Sequence, residues 1–423
     1  MEWPRRTGKT SDIPCFSADD EYRYSHFTRG DAKKVKSYIK EILQHEQRTI
    51  EMKPDGTVII TPHLRQLPNE ILAHIINHVL EVVPRYAFDN RRFAQQQNLY
   101  ACTLVNKQFH SIANPLLWQE PVMGFDPTRD LHRLLDCLAV TQQPLGCYVR
   151  RLKLKNNFCT DATLLLLMSH LRRLETLSIE NTAMFTDCAP ITSISLQHLP
   201  RYCSQLTSLN LVNIILSDAT IRAIGQHCRR LDEFAVHSSV GLCDDVFSAL
   251  SNCPLKRLDL SYDYTKGTLT EKMVMDMTHF QDLTDLCLSL FEPSSLIMTL
   301  ANNLQHNNTT TTIPWRHLKT IKLDLCDDID DATFICFVKA HPHLQAIRLK
   351  QATLTDASLD AIAMSLRDLR QLTLVRVHGI SSYGVRRLIQ SCQGLVLVQF
   401  LKCKKIVATD FLGTRTTVQI NCT

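Results

Sequence analysis

LKTIKL at residues 318–323, LQAIRL at 344–349 and LRQLTL at 369–374 share one pattern: an apolar residue, another three positions later, and a third two positions after that. Copies of this pattern begin at ten points, at residues 149, 174, 206, 231, 255, 283, 318, 344, 369 and 395. Most neighbouring copies start 24–28 residues apart, and two intervals are longer, at 32 and 35 residues. Such self-similarity at a nearly fixed period is the signature of a repeat architecture.

Each copy divides into a strand and a helix. The alternating apolar residues of the pattern are typical of a short strand with one buried face. The segments that follow, such as SDATIRAIGQHC at 217–228, carry apolar residues at helical spacing behind a Ser/Thr-Asp start that suits an N-cap. A single unit cannot fold, because ordering its backbone costs ~1–2 kcal/mol per residue, more than its few apolar side chains return. The units must therefore stack, and they resemble leucine-rich repeats.

This resemblance implies the fold class of residues 149–423: an α/β leucine-rich-repeat solenoid of about ten repeats, with parallel strands on the concave face and helices on the convex face. Six cysteines recur at two phases of the repeat, as in the cysteine-containing class of the family: Cys203, Cys228, Cys253, Cys326, Cys392 and Cys403. A polar run at 302–315 lengthens the sixth repeat, and we expect it to be a mobile loop because it cannot bury apolar surface.

A different pattern precedes the repeats. Leu67-Pro68-Asn69-Glu70-Ile71-Leu72 opens a helix with an apolar face, Leu104-Val105-Asn106-Lys107-Gln108-Phe109 follows a polar stretch, and Leu117-Trp118 closes a second amphipathic stretch. The order and spacing of these segments resemble the F-box, a small all-α module. The alternative is a helical hairpin that only caps the apolar end of the solenoid.

The two resemblances predict four segments. Residues 1–62 form an N-terminal extension with room for one helix, and residues 63–121 form the F-box. The link between the F-box helices, at about 81–97, is longer than is usual in the family and contains Arg85, Arg91 and Arg92. A connecting helical segment or cap at 122–148 then leads into the repeats.

The F-box resemblance implies a function. An F-box binds a small Skp-type adaptor, which links it to the cullin and the RING subunit of an SCF-type ubiquitin ligase. The repeats would then hold the target protein, so that the chain supplies proximity and specificity without bond chemistry. The alternative is an interaction scaffold outside any ligase. The residues expected to face the adaptor are Leu67, Pro68, Ile71, Leu72, Ile75, Leu104, Val105 and Trp118.

Basic residues at concave positions predict where the target binds. We expect a recognition patch centred on Lys322, Arg348 and Lys350, with Arg151 and Lys153 as further basic positions in the first repeat. An acidic or phosphorylated segment of the target would be its ligand. The alternative is an ordinary solvated polar face.

Other classes of function find little support in the sequence. A net charge of +5 is small for 423 residues, so net charge does not point to nucleic acid. No GxGxxG, GxxxxGK[ST], GxSxG, CxxC or HExxH motif occurs, so we expect no enzyme activity, no cofactor and no metal. The four carboxylates of CDDIDDAT at 326–333 suit helix capping better than calcium. Sixteen scattered cysteines and the absence of a signal-like or ~18-residue apolar segment predict a location in the cytoplasm or nucleus, away from membranes.

Overall fold

The computed structural model describes residues 49–52, 58–61, 67–81, 91–123, 127–140, 144–155, 159–181, 191–238, 244–262, 267–289, 291–292, 313–411 and 418–422. The chain divides into two compact units, Met1–Arg151 and Leu152–Thr423. Most of the N-terminal extension, Arg85 and residues 302–312 of the expected mobile loop lie outside the described residues.

The first unit is mainly helical where it is described. Its strands β1 (Thr49–Met52) and β2 (Val58–Thr61) pair antiparallel. Four α-helices and a short 3-10 helix follow: α1 (Asn69–Glu81), α2 (Arg91–Thr103), α3 (Lys107–Gln119), α4 (Pro127–Val140) and the 3-10 turn Leu145–Cys147. Helix α2 begins at Arg91, so the last residues of the link expected at about 81–97 are helical.

The second unit is built on a parallel sheet of eleven strands, whose first strand begins at Arg151. The strands lie side by side in chain order: β3 (Arg151–Lys155), β4 (Thr176–Glu180), β5 (Ser208–Val212), β6 (Glu233–Ser238), β7 (Arg257–Tyr262), β9 (Asp285–Ser289), β11 (Thr320–Leu323), β12 (Ala346–Lys350), β13 (Gln371–Val375), β14 (Leu397–Leu401) and β15 (Gln419–Cys422). Each of the ten sequence copies overlaps one of these strands. The eleventh, β15, was not predicted, because QINC lacks the leucines of the pattern.

Short helices join the strands of this array. They are α5 (Asp161–His170), α6 (Ser193–Leu196), α7 (Leu199–Tyr202), α8 (Asp218–His227), α9 (Val246–Leu250), α10 (Glu271–Met277), α11 (Asp331–Ala340), α12 (Asp356–Ser365) and α13 (Ser382–Ser391). Strands β8 (Gly267–Thr268) and β10 (Phe291–Glu292) form a separate parallel pair. Ser, Thr or Asp side chains cap the N-termini of many helices, as Ser217 does for α8 and Asp330 for α11.

The strands place alternate side chains in the core. In β12, Ile347 and Leu349 are buried, whereas Arg348 between them is exposed. The register is in step, since Leu323 faces Leu349 and Leu349 faces Leu374. The side chains between the buried ones therefore form rows across the sheet, and we call this side of the sheet the open face.

The described helices contain none that is both long and apolar enough to cross a membrane.

Candidate functional site

The two F-box-like segments of the first unit meet at one end of helices α1 and α3. Gln108, in the first turn of α3, donates from Nε2 to the carbonyl oxygen of Leu67 at 2.6 Å and to Oδ1 of Asn69 at 3.0 Å. Asn106 caps α3 by accepting a hydrogen bond from the backbone N–H of Phe109 at 2.9 Å. The start of α1 is thereby held against the turn that precedes α3.

Three apolar side chains are exposed in this region. Ile71 in the first turn of α1 is 47% exposed, and Leu104 and Val105, in the turn after α2, are 66% and 38% exposed. The turn itself is ordered by backbone hydrogen bonds from Leu104 to Ala101 and from Val105 to Cys102, both 3.2 Å long. Because Gln108 joins the two segments that carry them, these three residues are a candidate binding surface, which we call the exposed cluster.

The eight residues predicted to face an adaptor fall into two groups. Pro68, Ile71, Leu104 and Val105 are exposed, and Leu67 and Ile75 are half-buried. Leu72 and Trp118 are buried in the chain itself, at 1% and 4% exposure, so neither side chain is available to a partner in this conformation. Successive residues of a helix point about 100° apart, which is why Leu72 packs inward while its neighbour Ile71 does not.

The open face of the array brings Lys322 and Arg348 together. The two residues are Cα partners on neighbouring strands, and both side chains are exposed. Cys287 precedes them in the same row and Thr373 follows. Among the residues that the structure describes, no carboxylate forms an ion pair with either one.

The other predicted basic residues have different surroundings. Lys350 pairs with Asp324, with 3.5 Å between Nζ and Oδ2, and its side chain is only 25% exposed. Arg151 pairs with Glu120 at 3.0 Å. Lys153 is exposed on β3, and five strands of the sheet separate it from Lys322 on β11. The structure therefore joins Lys322 to Arg348 but places Lys153 in another part of the open face.

On the other side of Lys322, the same row of side chains carries a negative charge. Asp259, the Cα partner of Cys287, has one buried carboxylate oxygen without a hydrogen-bond partner in the described structure. Burial, reinforced by the charge of Asp259, raises the pKa of Cys287 to about 12, so this thiol stays protonated and unreactive at neutral pH. Along this row the charged side chains therefore change from an aspartate at β7 to a lysine at β11 and an arginine at β12.

Two aspartates of the CDDIDDAT segment accept hydrogen bonds at the N-termini of helices. Asp330 caps α11, accepting from the backbone N–H of Thr333 at 2.9 Å, and this bond lowers its pKa. Asp331 accepts from the backbone N–H and the hydroxyl of Thr355 at 2.9 and 2.5 Å, and from the hydroxyl of Ser358. Burial opposes the ionisation of Asp331, but these hydrogen bonds outweigh it and keep its pKa below the usual range. The sequence did not predict that Asp331 would contact the next repeat.

Metal-binding geometry is absent from the part of the chain that the structure describes. No group of three or more His, Cys, Asp or Glu residues there could hold an ion. His74 and His78 lie four residues apart on α1, a spacing seen in some metal pairs, but both are exposed and have no third ligand in the described unit. Two of the buried cysteines instead bond to backbone: Cys203 donates to the carbonyl of Leu171 at 3.6 Å, and Cys253 donates to that of Cys228 at 3.6 Å.

Two of the matches to known proteins bear on the fold. Residues 64–123 match the family model described as F-box-like. The chain is also similar to a chain in the crystal structure of the Rad7 and Elc1 complex in yeast, with a TM-score of 0.51 and 15% identity, over 96% of this chain and 98% of that one. Together with the eleven-stranded parallel sheet, these matches confirm the predicted fold class, an F-box-like domain followed by a leucine-rich-repeat array.

Proposed function

We propose that this chain is the substrate-recognition subunit of an SCF-type ubiquitin ligase. In this proposal the F-box-like domain binds a Skp-type adaptor, and the adaptor connects it to the cullin and the RING subunit. The array holds a target protein for ubiquitination and proteasomal degradation. The chain itself is non-catalytic and works in the cytoplasm, the nucleus or both.

The observation that carries the proposal is the exposed apolar cluster Ile71, Leu104 and Val105 within the F-box-like domain. Gln108 holds the two segments that supply it in one arrangement, so the surface is preformed and little ordering entropy opposes binding. A few apolar anchors of this kind provide most of the energy of a protein interface. The predicted adaptor site is thereby reduced to the residues that are accessible: Leu67, Pro68, Ile71, Ile75, Leu104 and Val105.

The structural neighbour supports a second adaptor to be tested beside the first. The similar yeast chain belongs to a crystal structure of Rad7 with Elc1, so an Elc1-type protein is a candidate partner for the same domain. The proposal also assigns the array to the cysteine-containing class of leucine-rich repeats. This assignment is supported by the buried thiols of Cys203 and Cys253, which bond to backbone carbonyls of the preceding repeat.

The test compares two leucine-to-aspartate variants of the full-length protein. Leu104→Asp introduces a charge into the exposed cluster, whereas Leu166→Asp does so on helix α5, at a leucine that is 60% exposed. Each protein is co-expressed with a Skp-type adaptor or an Elc1-type adaptor, and the affinity is measured by calorimetry. We expect Leu104→Asp to weaken adaptor binding by on the order of 10-fold or more, because a desolvated charge is costly in an apolar interface. Leu166→Asp should bind as the wild type does.

Two results would contradict the proposal. If wild type bound neither adaptor, the chain would be an interaction scaffold outside the ligase. If Leu104→Asp and Leu166→Asp retained equal affinity while both remained folded by circular dichroism, the exposed cluster would not face the adaptor.

A further inference from the structure

On the middle of the open face, two basic residues pair with carboxylates, whereas Lys322 and Arg348 have no ion-pair partner among the residues that the structure describes. Lys350 pairs with Asp324 at 3.5 Å, and Arg257 with Glu233 at 3.7 Å. Lys322 and Arg348 are adjacent on neighbouring strands, which lie about 4.8 Å apart. Like charges facing each other across strands are unfavourable, so this pair works against the stability of the sheet. The sheet does not need a cation at this position of the repeat, because the uncharged Thr373 occupies the equivalent position on the next strand.

A second group of basic residues lies beyond the ends of the next strands. Arg376 follows β13 and Lys402 follows β14, and the backbone N–H of Arg376 donates to the carbonyl of Leu401 at 2.8 Å. Both residues are exposed and have left-handed backbone angles, with φ of 55° and 56°. This conformation is disfavoured for any residue with a Cβ, and glycine is its usual occupant. Asn213 after β5 and Gln351 after β12 have the same conformation, so it belongs to the turn of the repeat, and two successive repeats place a long cationic side chain at this turn.

The two groups lie on neighbouring strands, and we call the four residues together the basic surface. Arg376 lies one strand across from Arg348 and at the level of Gln351, three residues or about 10 Å further along the strand direction. An extended peptide advances by a similar distance over three residues. On the other side, the exposed Asp327 and Asp328 limit this surface near the end of β11.

We propose that this basic surface, formed by Lys322, Arg348, Arg376 and Lys402, binds an acidic peptide segment of the target. Carboxylates of the segment bridge Lys322 and Arg348, and further carboxylates three to four residues along the segment reach Arg376 and Lys402. Lys350 stays paired with Asp324 beside the site. This inference rests on the proposed function, since it specifies the chemistry of the target that the array holds.

The test uses the full-length protein and a labelled eight-residue probe of alternating glutamate and serine. Fluorescence anisotropy compares the double variant Lys322→Glu/Arg348→Glu with Arg172→Glu/Arg229→Glu, which makes the same change in net charge at two exposed arginines in helix-to-strand turns. We expect the first variant to bind the probe about 10-fold or more weakly, because two charge-assisted contacts become repulsive. The second variant should stay within about 2-fold of wild type, since exposed charges at a distance are screened.

A probe in which every glutamate is replaced by glutamine should not bind. Equal loss of affinity in the two double variants would overturn the inference, because only net charge would then matter. Preference for a probe carrying phosphoserines without glutamates would replace the carboxylate ligand by a phosphorylated one. Tighter binding of a single-stranded oligonucleotide would replace it by a nucleic acid. Adaptor affinity of the Lys322→Glu/Arg348→Glu variant, measured in parallel, should be unchanged, so failure of this inference is distinguishable from failure of the proposed ligase role.

Discussion

Gln108 in the helical unit and Asp331 in the array each join parts of the chain that are distant in sequence, but only the contact of Asp331 recurs at a fixed position of a repeat. Gln108 reaches Leu67, 41 residues away, and Gln96 reaches Glu120, 24 residues away, so the contacts of the helical unit follow no common spacing. Asp331 accepts hydrogen bonds from Thr355 and Ser358 of the next repeat. In the same way, Asp161 accepts from Thr192 and Asp356 accepts from Ser381, each in the repeat that follows. The described helical unit makes a different contact at each junction, whereas the array repeats one contact at three junctions.

This difference has a consequence for stability. In a repeat array each unit interacts mainly with its neighbours, so one lost contact weakens one interface and leaves the others intact. In a small helical unit every buried residue belongs to one core, so one severe change unfolds the whole unit. The two regions should therefore respond differently to substitutions of similar chemistry.

The largest expected effect is in the helical unit. Leu72→Asp places a charge in the core and should destabilise the unit by several kcal/mol, about 4 or more, whereas Ile71→Asp on the same helix should cost less than about 1 kcal/mol. Urea denaturation followed by circular dichroism measures the free energy of unfolding of both variants. The unfolding transition of the array should be unchanged in each. Equal destabilisation by the two substitutions would contradict the burial of Leu72.

A smaller loss of stability is expected in the array when either of two adjacent aspartates is replaced by alanine. Asp331→Ala removes an acceptor for three hydrogen bonds between repeats and should cost about 2–3 kcal/mol, because the donors of Thr355 and Ser358 lose their partner. Asp330→Ala removes one N-cap bond within a repeat and should cost about 1 kcal/mol. Equilibrium unfolding of the full-length variants compares the two. The reverse order would show that caps matter more than bridges between repeats.

The smallest expected effect depends on pH. His341 is buried, with its Nδ1 2.8 Å from the carbonyl oxygen of Phe337 and its Nε2 3.1 Å from that of Pro314. Burial lowers its pKa below 6.5, so below that pH the unfolded chain takes up a proton that the folded one does not. Stability should fall as pH drops below 6.5, by up to about 1.4 kcal/mol per pH unit.

Unfolding free energies at pH 7.5 and 5.5 measure this contribution. His341→Phe should lose that part of the pH dependence, and His378→Phe, at an exposed position, should keep it. An unchanged slope in His341→Phe would mean that the pKa of this histidine is the same in the folded and the unfolded chain.

Much of the fold was predictable because its signals are local. The recurring apolar spacing located ten strands, and Ser/Thr/Asp followed by helical spacing located caps such as Ser217. The start of helix α2 at Arg91 was not predicted, because RRFAQQQN is polar and its helix has only a weak apolar face. Strand β15 was missed for a similar reason, since its position is set by pairing with β14 and its residues lack the pattern.

The candidate sites depended more on tertiary structure. The sequence by itself determined the repeat fold, the order of the F-box-like segments and a set of apolar and basic candidates. Only the structure separated buried Leu72 from exposed Ile71. It also separated Lys350, which pairs with Asp324, from Lys322 and Arg348, which have no ion-pair partner in the described part of the chain. The physical reason is that the periodicity of apolar residues shows which face of a single strand or helix is buried, and nothing about its neighbours. Contacts between residues some 26 positions apart depend on the register in which repeats stack, which no single repeat encodes.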